Sequence, residues 1–239
     1  EERLLSDIDG RFNDLSETRN NPSEHRIILT VPHALPAGDD VEDHWCDWSA
    51  APAARQLFEM LKGKHDTHLQ MADKKRSEID YNRAISAETR WQLELDSLLE
   101  KADMLVDIHS FPVDDPMWAG YDFVLFSCDR WAMKAQNDQV ELLEHLRAKG
   151  YKVMMDIADH RNYIQEKGVA LGIPSFLIEF GEHLKLKKPC EDLVKGLEKF
   201  LVKSEQHPVE MLLRDNPIRG TSAKHFDQSM RDGHFEPRR

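Results

Sequence analysis

Two histidines and a glutamate each close a run of apolar, largely β-branched residues: His33 follows IILTVP, His109 follows MLVDI and Glu179 follows SFLI. Two imidazoles and a carboxylate form a suitable donor set for a catalytic zinc that keeps a fourth position for water. Zinc lowers the pKa of that water from about 15.7 to about 7, so the water becomes a nucleophile near neutral pH if a carboxylate removes its proton. Glu179 is a candidate for that base, in which case the carboxylate ligand comes from elsewhere. A single histidine after a strand reads as a hydrogen-bonded surface or core residue; the joint placement with Glu179 is what points to a site.

Asp107 stands two residues before His109, so in a strand both side chains point to the same face. A carboxylate buried in such a run needs a partner, and orienting a ligating imidazole is a common arrangement; a salt bridge to a neighbouring helix is the alternative. A second polar cluster, RSEIDYNR, spans Arg76 to Arg83. One arginine there suits bidentate capture of a substrate carboxylate, and another suits polarising a scissile carbonyl. The same run also reads as a solvated charged loop.

These residues need elements to hold them. Strands are expected at Ile27–Val31, Thr67–Met71, Met104–Ile108, Tyr121–Phe126, 150–157 and from Ser175 into IEFGEH. Between them, Ala50, Ala54, Leu57, Phe58 and Leu61 recur at helical spacing, with Asp47 as N-cap and Gly63 past the end. Further helices are expected around Trp91–Leu99, Trp131–Ala148 and 160–172, and from Cys190 to about Lys203. Alternating strands and helices imply an α/β three-layer sandwich with a largely parallel mixed sheet, whose ligands gather at the carboxyl ends of the strands. The expected organisation is a polar N-terminal extension over 1–24, helical at most in part, a catalytic domain over 25–203 and a polar tail over 204–239.

The net charge of −12 in 239 residues argues against nucleic acid or an anionic membrane as the main partner. No apolar run is long enough to cross a bilayer. Cys46, Cys128 and Cys190 are odd in number and far apart, which argues against a disulfide framework and for a reducing compartment, the cytoplasm.

In order and separation, TVPHA, RSEIDYNR, VDIHSFP and FLIEFGE resemble the N-formylglutamate amidohydrolase group of the zinc carboxypeptidase and aspartoacylase superfamily, over about residues 27–182. The resemblance implies a zinc-carboxypeptidase-like fold with one zinc per chain. It makes His33 and His109 zinc ligands and Glu179 the glutamate that activates the metal-bound water. It makes Asn82 and Arg83 the pair that grips the substrate's free carboxylate, and Arg76 the group that polarises the carbonyl. One departure matters: the superfamily has His-x-x-Glu at the first metal position, but the residue three after His33 is Pro36. Asp47, which opens the following helix, is the preferred replacement ligand; Asp39, Asp40 and Glu42 are alternatives. Asn162 is a further candidate for substrate contact, although helix capping also explains it.

The expected activity is zinc-dependent hydrolysis of the amide bond of an N-acyl amino acid, N-formylglutamate-like, or of another small molecule or peptide with a free carboxylate. Two alternatives stand beside it: a zinc carboxypeptidase acting on peptide C-termini, and a metal-free module that binds carboxylates on the same fold.

Overall fold

The computed structural model describes residues 16–19, 25–35, 47–128, 132–158 and 162–206. Seven strands form one sheet: β1 (Ser16–Arg19), β2 (Arg26–Val31), β3 (Asp66–Met71), β4 (Met104–Phe111), β5 (Phe123–Cys128), β6 (Val153–Ala158) and β7 (Ser175–Gly181). Their order across the sheet is β1-β3-β2-β4-β7-β5-β6. Strands β3, β2, β4 and β7 run parallel, whereas β1 and the β5–β6 pair run against them. The sheet is therefore mixed with a parallel centre.

The helices are α1 (Ala50–Leu61), α2 (Arg90–Leu99), α3 (Ala132–Ala148), α4 (Tyr163–Ala170) and α5 (Lys187–Gln206), with a short 3-10 turn at Ala84–Ser86. Helix α1 buries Ala50, Ala53, Ala54, Leu57, Phe58 and Leu61, one stripe at helical spacing, against β2, β3, β4 and α5. Helix α2 starts where Thr89 accepts a hydrogen bond from Gln92 N, an N-cap that the sequence around Ser86–Thr89 favours.

Side-chain alternation divides β4 and β7 cleanly. Phe176 of β7 meets Phe200 of α5 at 5.0 Å between ring centroids, so the even positions of β7 face the α5 layer. The odd positions face α4: Gly168 packs so closely on Ser175 and Leu105 that a Cβ there would stand 2.0 Å from Ser175 Oγ and 2.9 Å from Leu105 Cδ2. Glycine is what lets α4 lie this near the sheet. Asp107, His109 and Phe111 share the Leu105 face, and Glu179 and Gly181 share the Ser175 face. The chemistry-bearing side chains of both strands thus enter the same layer, beside α4.

Two expectations are corrected. The polar segment before residue 25, expected as an extension helical at most in part, contributes a strand, β1, antiparallel to β3. Asp47 does not cap α1: Ser49 occupies that position without a side-chain cap, and Asp47 lies two residues upstream with its carboxylate turned to the histidines.

Candidate metal and active site

His33 lies just past β2, His109 near the end of β4, and Asp47 in the turn that leads into α1; all three are buried. Asp47 Oδ2 is 3.2 Å from His33 Nδ1 and 2.8 Å from His109 Nδ1, and the imidazoles meet edge to face at 4.8 Å. One donor atom from each residue can be chosen so that all three lie within 4.8 Å of one another. The opposite nitrogens are backed by carboxylates. His33 Nε2 is 2.8 Å from Asp80 Oδ1, and His109 Nε2 is 3.1 Å from Asp107 Oδ2. A proton held on each Nε2 leaves each Nδ1 lone pair aimed at the Asp47 side, the tautomer a metal ligand requires.

The surroundings fix this arrangement. Asp107 is fully buried and also accepts a hydrogen bond from Thr30 Oγ1 at 2.7 Å. Asp80 accepts from Asn82 N at 2.9 Å and from Arg76 Nε at 3.3 Å. The Asp47 turn is pinned through Glu182, whose Oε1 accepts from Trp48 N and Ser110 Oγ, both at 3.0 Å, while Ser110 Oγ accepts from Ser49 N.

Charge balance follows from the same geometry. Burial works to raise the Asp47 carboxyl, but His33 and His109 outweigh it and hold it well below the usual carboxylate range. Burial likewise opposes a charged His109, yet Asp107, Asp47 and Glu179 raise it well above an ordinary imidazole. Asp80 is depressed by His33, Arg83 and Arg76 against its own burial. Glu179 differs: burial together with Asp47 and Asp107 outweighs His109 and Arg76 and pushes it up to about 8. It pairs in register with His109 across β4–β7 and is only partly buried. A carboxyl poised near neutrality beside a histidine–aspartate cluster suits proton transfer.

The remaining candidates are distributed as follows. Arg76 is held by Asp80 and lies near enough to Glu179 to lower it. Arg83 is partly exposed, with Nη1 donating to Asn82 O at 2.9 Å. Asn82 itself is buried, with Oδ1 accepting from Ile164 N at 3.3 Å and Nδ2 3.4 Å from His109 Nε2, so its amide lies between His109 and the start of α4. Asn162 is the N-cap residue of α4 but makes no side-chain cap, and its Nδ2 is buried without a hydrogen-bond partner among the described residues. Asp39, Asp40 and Glu42 lie outside the described residues. Sequence reasoning missed Asp80 and Glu182. Asp80 stood inside the RSEIDYNR cluster, and its acidic side chain between two arginines, Arg76 and Arg83, was the available signal.

The donor set of two imidazoles and one carboxylate, buried, convergent and backed by carboxylates, fits zinc. No protein-family model matches the chain, and no curated protein matches it. Solved structures do. A gene product of Agrobacterium tumefaciens superposes with a TM-score of 0.59 at 15% identity, over 80% of this chain and 96% of that one. The CwlD amidase of Clostridioides difficile, solved in complex with the GerS lipoprotein, gives 0.52 at 16% identity over 75% and 99%. The mDAP-bound form of Helicobacter pylori Csd4, a D,L-carboxypeptidase, gives 0.51 at 11% identity over 79% of this chain and 54% of that one. Fold and site together define an α/β chain of zinc-carboxypeptidase-like architecture carrying a buried His-Asp-His cluster. Among the described residues no helix is long and apolar enough to cross a membrane.

Proposed function

We propose that this chain is a zinc-dependent amidohydrolase that cleaves an N-acyl amino acid, N-formylglutamate-like in having a free carboxylate beside the scissile amide. The observation that carries the reading is the convergence of His33 Nδ1 and His109 Nδ1 on Asp47, with both Nε2 atoms backed by carboxylates and Glu179 alongside. His33, Asp47 and His109 would hold one zinc ion per chain. When bound, zinc polarises the carbonyl and acidifies water.

Glu179 accepts the proton of the attacking water and returns it to the leaving nitrogen as the C–N bond breaks, so the products are a carboxylic acid and an amine. Arg76 donates to the oxygen on which negative charge develops, and Arg83 holds the substrate's carboxylate. Asn82 anchors the start of α4 beside His109, and Asn162 offers its unpartnered amide to substrate. The three dispersed cysteines fit a reducing compartment, the cytoplasm.

A carboxypeptidase acting on peptide C-termini would use the same residues, and the likeness to a D,L-carboxypeptidase favours keeping that reading second. The test is elemental analysis of the purified protein with His33→Ala and His109→Ala variants, followed by turnover of N-acyl amino acids and peptides by the parent and Glu179→Gln. About one zinc per parent chain, little in either histidine variant, and loss of turnover with retained zinc in Glu179→Gln are expected. No metal in the parent after zinc incubation would leave a carboxylate-binding module instead.

A further inference from the structure

Beside Glu179, on the same face of the sheet, lies an aromatic span that the zinc-site chemistry does not use. Phe111 of β4 and Phe126 of β5 stand on either side of β7, and Trp118 bridges them edge to face, with ring centroids 5.6 Å from Phe111 and 5.5 Å from Phe126. In register, Phe111 lies opposite Gly181 and Phe126 opposite Leu177, so the bridge crosses β7 at the level of Glu179. The indole is fixed as well as placed. Trp118 Nε1 donates to Asp156 Oδ2 at 3.3 Å, and the loop carrying it is turned by Asp115, whose Oδ1 accepts from Trp118 N at 3.0 Å. The same loop leaves Val113 and Met117 58% and 68% exposed, an apolar rim that the core does not account for.

Arg76 and Arg83 both pair with Asp80, which backs His33 just past β2, and β2 lies on the other side of β4 from β7 and β5. A substrate whose carboxylate meets those arginines therefore lays its acyl group toward β5. Resting on the amidohydrolase reading above, we propose that the Phe111–Trp118–Phe126 span is an acyl-group subsite, and that the preferred substrates carry an extended apolar acyl chain rather than a one-carbon acyl group.

The test measures kcat/KM for the N-formyl, N-acetyl, N-butanoyl and N-hexanoyl derivatives of one amino acid with the parent, Trp118→Ala and Trp118→Phe. Binding of the same series to zinc-loaded Glu179→Gln, with and without Trp118→Ala, is measured by calorimetry. Each added methylene should raise kcat/KM and affinity about fourfold, the value for a fully buried CH2. Trp118→Ala should flatten both series, and Trp118→Phe should keep most of the slope. A parent series that is flat or falls beyond formyl, or a slope unchanged in Trp118→Ala, overturns the subsite. If Glu179→Gln turns over substrate like the parent, the assignment of the base fails, and the binding slope still decides the subsite by itself.

Discussion

Replacing Asp107 by Asn tests how the proposed zinc site would select the nitrogen that His109 offers a metal. The substitution keeps shape and volume in a fully buried position, and the Thr30 hydroxyl can still bond the amide at the 2.7 Å contact. What changes is the partner of His109 Nε2 at 3.1 Å: a carboxylate that only accepts becomes an amide that either donates or accepts weakly. The pull that keeps the proton on Nε2 is lost, and the tautomer with the proton on Nδ1, the atom facing Asp47, becomes accessible. Loss of such a backing carboxylate costs about 10- to 100-fold in metal affinity, or about 1.4–2.7 kcal/mol at ~1.36 kcal/mol per decade.

A second effect has the opposite sign. Asp107 also helps raise His109 well above the ordinary imidazole range, so at the proposed site protons would compete with zinc as pH falls. The Asn variant relieves that competition. Its affinity deficit should therefore be larger at pH 8 than at pH 6. Competition titration against a chromogenic chelator at both pH values measures it, with His109→Ala as the reference for a missing ligand. A variant that binds zinc within twofold of the parent at pH 8, while His109→Ala loses it, would refute the orienting role of Asp107.

Gly168→Ala should destabilise the protein by about 1–3 kcal/mol in urea unfolding, the range for overpacking, because the new methyl would press on Ser175 and Leu105. Adding Ser175→Ala should recover part of that loss, and no recovery would mean the backbone, not the contact, is at fault. Tyr151→Phe removes the hydrogen bond, 3.0 Å, that Tyr151 donates to Asp192. Burial pushes the Asp192 carboxyl up, but Lys188 and Tyr151 outweigh it and hold it down, so its contribution is present above the unfolded carboxylate range and lost as pH falls through it. The variant should lose about 1.5–3 kcal/mol at pH 7, with the difference from the parent shrinking below about pH 4 in thermal melts. A constant difference across that range would contradict the coupling.

The sequence carried the strand-end histidines and Glu179 legibly because alternation and breaker residues are local properties. His33 follows a strand closed by Pro32, and Asp107 and His109 share a face by spacing alone. The direction of β5 and β6 was not legible, since an apolar run reads identically whichever way it lies against β7. That direction is what sets Phe126 opposite Leu177, and with it the Trp118 bridge. Nor could spacing reveal that Asp80, 47 residues from His33, backs that imidazole. Asp47 illustrates the ambiguity from the other side: an aspartate before a helix serves as a cap or reaches away from it, and the choice depends on neighbours distant in sequence.

The sheet order explains how distant segments build one site. His33, His109 and Glu179 follow or sit on β2, β4 and β7, which are separated along the chain but adjacent in the sheet and parallel. Neighbouring strands lie about 4.8 Å apart, so the three groups fall within a row about 10 Å wide. The amide of the proposed substrate, bridging that row, would meet the histidines on one side and the glutamate on the other. Parallel pairing matters because it brings all three carboxyl ends to the same edge; an antiparallel neighbour at β4 or β7 would have sent one of them to the opposite pole. Beyond β7, the strands β5 and β6 run the other way and start at that edge instead. Their contribution is therefore wall rather than donor atoms: Phe126 and Asp156 hold Trp118 beside Glu179 without adding a ligand.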